Sequence, residues 1–186
     1  MADAHTVSNF YYKIALENRN RYEEYRNRVD VVLSSDKEDW MKDMESSDYC
    51  YQSLKCAVQS IVFSAMCLEA FIYDYSKKHL GSSYTKKHIE KINIESKFII
   101  VPRLAIGKEI DKSGQGYERL KKLISDRNKI VHFKSMSDFL TQESFLPESM
   151  ENGLEAVVEL MNEFELLHPD EKLYFSAIPM HAECFA

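Results

Sequence analysis

The 186 residues suit one domain with a sizeable core, and a makeup of 45% hydrophobic and 29% charged residues is that of an ordinary globular protein. With only 5 Gly and 4 Pro, turn formers are too scarce for a many-stranded β fold, and abundant Leu, Ile, Glu and Lys favour helices. The net charge of −6 argues against a surface broadly coated for nucleic acid.

That charge is unevenly placed. Residues 1–76 carry 8 basic and 13 acidic side chains, residues 77–134 carry 15 and 6, and residues 135–186 carry 1 and 11. A basic middle third between acidic ends offers a polyanion one landing surface, or simply solvates helix faces. No uninterrupted apolar run approaches the roughly 20 residues needed to cross a bilayer. Met1-Ala2-Asp3-Ala4-His5 lacks the basic-then-apolar layout of a signal peptide. Cys50, Cys56, Cys67 and Cys184 form no CxxC pair and no zinc-finger spacing, and read as reduced thiols. The expectation is a soluble, cytoplasmic protein without membrane association.

In chain order, Tyr11, Ile14, Tyr22, Tyr25, Val29 and Val32 recur at three-and-four spacing and predict an amphipathic helix over 8–33. Ser35 and Glu38 have the spacing of a capping box for a short helix around Trp40, and Ser46-Ser47-Asp48 offers the next N-cap. Leu54, Val58, Ile61, Ala65, Leu68, Ile72 and Tyr75 then alternate steps of four and three, the pattern of a long bundle helix. Lys77, Lys78 and His79 complement its C-terminal dipole, and Gly81 suits a left-handed cap.

Residues 82–116 are less regular, with a short helix from Thr85 to Ile92, a break at Pro102 and a loop at Ser113-Gly114-Gln115-Gly116. Tyr117 to His132 predicts a helix with Leu120, Leu123, Ile124 and Val131 on one face. A last helix over 147–167 buries Leu154, Val157, Met161 and Phe164, while Glu151, Glu155, Glu159 and Glu163 make a solvated acidic row. The fold class is therefore an all-α antiparallel bundle with additional short helices, in one domain. Its core covers about 50–167, the 8–33 helix packs on it, and the tail 169–186 has no assigned element.

Chemistry concentrates at the end of the 117–132 helix. Arg127 follows Leu123 by four residues and precedes Val131 by four, so its stem joins the apolar face while its guanidinium needs an anion or carbonyl. Glu69, flanking the stripe of the long helix, is one internal candidate; a ligand phosphate is the other. Asn128 and His132, four apart, share a face, whereas Arg127 and His132 are about 140° apart on an ideal helix. His132 can also simply cap the helix. His79 and His88 lack the spacing of a metal site, and no metal ligand or cofactor is assigned. The 11 Tyr and 10 Phe fall mainly at helical spacing and read as core.

Arg127-Asn128-x3-His132-Phe133-Lys134, preceded by Gly107-Lys108, Asp111-Lys112 and Leu120-Lys121-Lys122-Leu123-Ile124, resembles bacterial members of the HEPN superfamily, as does Leu68-Glu69-Ala70-Phe71-Ile72. The resemblance covers about residues 50–167. It implies a helical homodimer whose Arg and His face a cleft between protomers and cleave RNA without metal. Arg127 would then neutralise the scissile phosphate, His132 would act as general acid or base, and Asn128 would orient one of them. Glu69 would support the site, and Lys121, Lys122, Lys129 and Lys134 would contact RNA. Some toxin members carry Tyr two places after the His; Lys134 stands there in this chain. The resemblance implies a toxin or antiviral effector with an antitoxin or defence protein as partner. The alternative is a non-catalytic module that binds nucleotide, RNA or protein through the same Arg and His.

Overall fold

The computed structural model describes residues 6–169, and these are helical almost throughout, with no strand among the described residues. The all-α expectation holds. The tail from residue 170, Cys184 and the first five residues lie outside the described part.

Helix α1 (Val7–Leu33) opens at Thr6, whose hydroxyl accepts the Asn9 N–H at 3.1 Å, satisfying one of the orphan donors of a helix start. It packs antiparallel against α2 (Asp39–Leu80), with Tyr11 on Phe63 at 5.7 Å and Tyr25 stacked on Tyr49 at 6.3 Å. At 42 residues α2 is the longest element, about 63 Å at 1.5 Å per residue. Of its predicted stripe, Ile61, Ala65, Leu68, Ile72 and Tyr75 are buried, and Leu54 and Val58 are half-buried at its margin. It ends at Gly81, whose φ of 85° is positive but whose ψ of 148° is extended, outside the left-handed helical region.

The interruption after Leu33 is present, with α2 starting at Asp39, but the capping box at Ser35 and the second break at Ser46–Asp48 are corrected. Ser35 donates its hydroxyl to the Val32 carbonyl and caps nothing ahead of it. Ser46 lies inside α2 and donates back to the Asp43 carbonyl at 3.3 Å. A serine satisfied in this way costs a helix only a few tenths of a kcal/mol, and continuity keeps Tyr49 against Tyr25.

The far end of this hairpin is a stalk. No α2 residue before Ser53 is buried, and beyond Tyr25 only Val29 and Val32 of α1 are. Val31, Leu33, Trp40 and Met44 stay exposed there, and the Arg28 guanidinium sits 5.8 and 5.7 Å from the Tyr25 and Tyr49 ring centres. Although no apolar run is long, one 18-residue stretch of α2 reaches a mean hydropathy of 1.6, enough by length and composition for a membrane span. More than half of that stretch is buried inside the bundle, as in a core helix.

After a single turn, α3 (Ser82–Tyr84), the chain forms a π turn at Thr85–Ile89 in place of the predicted α-helix to Ile92. Buried Thr85 is tied to buried Ser76 at 2.9 Å, and its carbonyl accepts from Glu90 five residues on.

Helix α4 (Ile94–Ile106) passes through Pro102, against expectation. A proline there costs about 3 kcal/mol, but Ile94, Phe98, Val101 and Pro102 itself are all buried, and their packing outweighs the lost hydrogen bond. Asn93 caps the start by accepting from Ser96 N–H at 2.8 Å, and Gly107 closes the end at φ 71°, ψ 11°. Gly107→Ala meets no neighbour within 4 Å, so only the left-handed backbone opposes it. A loss of about 1 kcal/mol is expected, read as a melting temperature lower by about 3 °C in a scan followed by circular dichroism.

The remaining elements are α5 (Gln115–His132), α6 (Met136–Gln142) with a 3-10 turn at Glu143–Phe145, and α7 (Leu146–Leu167). Helix α5 begins two residues earlier than predicted, inside the Ser113–Gly116 segment. It runs antiparallel to α7, while α7 runs in the same direction as α2: Gly153 faces Ser64, Phe164 meets Phe71 edge-on at 5.0 Å, and His168 reaches Tyr75. A Cβ on Gly153 would sit 3.1 Å from Leu123 and 3.2 Å from Ser64, so α2, α5 and α7 converge at that glycine.

The acidic row of α7 is not a solvated face. Glu151 meets Arg19 of α1 at 2.9 Å, Glu155 and Glu159 both hold Arg119 of α5, and Glu163 accepts the Asp111 backbone N–H. Like charges at four-residue spacing repel weakly, and here cations and an amide from neighbouring segments lie among them.

Candidate functional site

Gly116 stands in the first turn of α5, against α7. A Cβ there would lie 3.4 Å from Leu160 Cδ2. Leu120, Leu123 and Ile124 follow into the core. The next residues along that face divide. Asp126, three after Leu123 and four before Ile130, continues the buried line and is only 2% exposed. Arg127 turns to the margin and is half-buried, and Val131, expected in the core, is 56% exposed.

The buried charge on α5 is therefore Asp126, which the sequence reading passed over. Its carboxylate accepts from Lys122 at 2.8 Å, Lys129 at 2.9 Å and the buried Ser149 hydroxyl of α7 at 2.5 Å. Burial alone would raise its pKa; the bonds from Lys122, Ser149 and Lys129 outweigh that and hold it below the ordinary aspartate value. The signal was present in Lys122-x3-Asp126-x2-Lys129, an acid with bases one turn either side, on a helix whose stripe runs through the acid.

This clamp alters the roles of the lysines expected to meet RNA. Lys122 and Lys129 are engaged by Asp126, and Lys129 also lies over the Phe145 ring at 5.4 Å. Lys121 pairs with Glu118. Lys134 is exposed and forms no ion pair among the described residues. Glu69 does not meet Arg127 either. It lies 3.6 Å from Lys97, whose side chain is 4% exposed, and a buried ammonium needs a carboxylate more than a half-exposed guanidinium does.

Arg127 is left with no hydrogen bond or ion pair among the described residues. Asn128 and His132 are exposed one turn apart at the same end of α5. His132 is the last residue of the helix; Phe133 then turns extended and packs edge-on against Phe139 of α6 at 5.4 Å. The end of α5 is thus fixed on both sides, by Asp126 to α7 and by Phe133 to α6. Among the described residues no group of three or more His, Cys, Asp or Glu side chains is placed to hold a metal ion.

Compared with known proteins, the chain matches no family model, no curated protein and no solved structure. The HEPN likeness therefore stands on the motif residues alone. What they present is a guanidinium without a carboxylate, an amide and an imidazole at one helix end, a set suited to holding a phosphate and moving a proton beside it.

Proposed function

We propose that this chain is a metal-independent endoribonuclease of HEPN type that works as a homodimer. The observation that carries the reading is the free Arg127 guanidinium. The other cations from Arg119 to Lys129 are tied to carboxylates, while Arg127 has none and lies on the same last turns of α5 as exposed Asn128 and His132. In this reading Arg127 binds the scissile phosphate and offsets the charge that develops on its oxygens. His132 takes the proton from the ribose 2′-hydroxyl as that oxygen attacks phosphorus, or gives one to the departing 5′-oxygen. The P–O5′ bond breaks as the P–O2′ bond forms, leaving a 2′,3′-cyclic phosphate, and DNA is inert.

One imidazole cannot begin as both base and acid, so a second protomer supplies the other. Val131, next to His132 in the chain, and Met136 and Leu140 of α6, the helix that follows, are exposed and suit a two-fold contact at that end of α5. The deciding experiment incubates the protein with single-stranded RNA in EDTA and analyses the new ends, with light scattering on the same sample. Cleavage to cyclic phosphate by a dimer is expected. Cleavage abolished by chelation, or none from a strictly monomeric protein, rejects the reading; RNA binding without cleavage makes the chain a binding module.

A further inference from the structure

The basic middle third does not form one surface. Helix α7 gives the scale: its Ser149 meets Asp126 beside the motif, and His168, just past its end, meets Tyr75 near the end of α2. Nineteen residues separate them, about 28 Å along a helix. Residues 77–91 therefore lie at the opposite end of the bundle from Arg127 and His132.

At that end positive charge outnumbers negative in the sequence. Residues 77–91 hold five lysines and one carboxylate, Glu90, with Asp74 one turn back on α2. Lys77, Lys78, Lys86, Lys87 and Lys91 are all exposed. Among the described residues Lys86, Lys87 and Lys91 meet no carboxylate, and Lys77 lies over the Tyr73 ring at 5.5 Å. The π turn makes this a fixed display. Thr85 and Ile89 are its buried anchors, and Lys86, Lys87 and His88 between them point outward. π turns of this kind recur at functional sites. The exposed Tyr84 ring lies 4.8 Å from His88, so an aromatic face stands among the cations, the combination that grips phosphates and stacks bases.

We propose that this cap, from Lys77 to Lys91, is an RNA-binding surface remote from the motif, holding the phosphate backbone while Tyr84 and His88 receive a base. It rests on RNA being the partner, but not on the chain cutting it. A single RNA engaging both ends must bridge about 28 Å.

The test uses the full chain with His132→Ala, which prevents turnover, and fluorescence anisotropy of a labelled 24-nucleotide RNA hairpin with a single-stranded flank. Adding Lys86→Glu, Lys87→Glu and Lys91→Glu should weaken binding at least about tenfold and reduce the log–log salt slope by about 2, as expected for three lost phosphate contacts at about 0.7–0.9 each. Tyr84→Ala should weaken it at least about fivefold with the salt slope unchanged. A control with equal charge change, Lys13→Glu with Arg26→Glu and Lys42→Glu, should lose much less. Equal loss in the control, no loss in the cap variant, no RNA binding at 10-fold micromolar protein excess, or binding to anionic phospholipid vesicles in place of RNA overturns the proposal. The nuclease reading fails separately: if wild type binds RNA through the cap but never cleaves it, the cap stands and the catalytic role of Arg127 and His132 does not.

Discussion

Asp126→Ala is expected to cost about 3 kcal/mol of folding stability, the lower end of what removing one partner from a buried charge cluster costs. The lower end applies because Lys122 and Lys129 can turn to water once released, their side chains being well exposed. Ser149 cannot: it is fully buried and loses its acceptor. Urea unfolding at pH 7 followed by circular dichroism measures the loss; a difference below about 1 kcal/mol would mean that the clamp contributes no more than a surface ion pair. The pH dependence has a definite sign. A carboxyl held below its ordinary value in the folded chain contributes fully above the unfolded value near 3.9, and loses that contribution as pH falls through the folded value. The advantage of the native chain over Asp126→Asn should therefore be constant near neutrality and shrink below about pH 4.

His132→Ala should slow RNA cleavage by at least about 100-fold, the usual consequence of removing a general acid or base. Arg127→Ala should do comparable damage through lost stabilisation of transition-state charge. Both should leave the unfolding midpoint nearly unchanged, because His132 is exposed and Arg127 holds no partner among the described residues. Single-turnover cleavage rates beside thermal melts separate these cases from Asp126→Ala, whose activity falls only as its fold does. Cleavage that survives both substitutions, or a melt that collapses with Arg127→Ala, contradicts the roles given to these side chains.

Much of the architecture was legible because one physical rule dominated. The four-and-three repeat from Leu54 to Tyr75 buries one face of α2, and tertiary packing and periodicity agree there. The misreadings fall where a local rule met a larger packing term. Pro102 is tolerated among Phe98 and Val101, and Ser46 is satisfied by the carbonyl behind it. The acidic row of α7 looked solvated because its cations, Arg19 and Arg119, lie 132 and 40 residues away. At the motif, one position decided the outcome. Sequence spacing put the stem of Arg127 on the apolar face and ignored Asp126, whereas the helix buries Asp126 and leaves Arg127 half-buried at the margin. A 100° step between adjacent residues is finer than a stripe read from four apolar positions can resolve.

The stalk has a spectroscopic consequence. Trp40 is the single tryptophan of the chain, and it stands 63% exposed on α2 where no residue is buried. Two helices held there by Val29, Val32 and the Tyr25–Tyr49 stack form a cooperative unit far smaller than the bundle. The intrinsic tryptophan emission of this protein thus reports the opening of that unit, while far-ultraviolet ellipticity reports the whole. Denaturation curves from the two signals should separate, the emission changing first, and a fluorescence midpoint taken alone would make the core look weaker than it is.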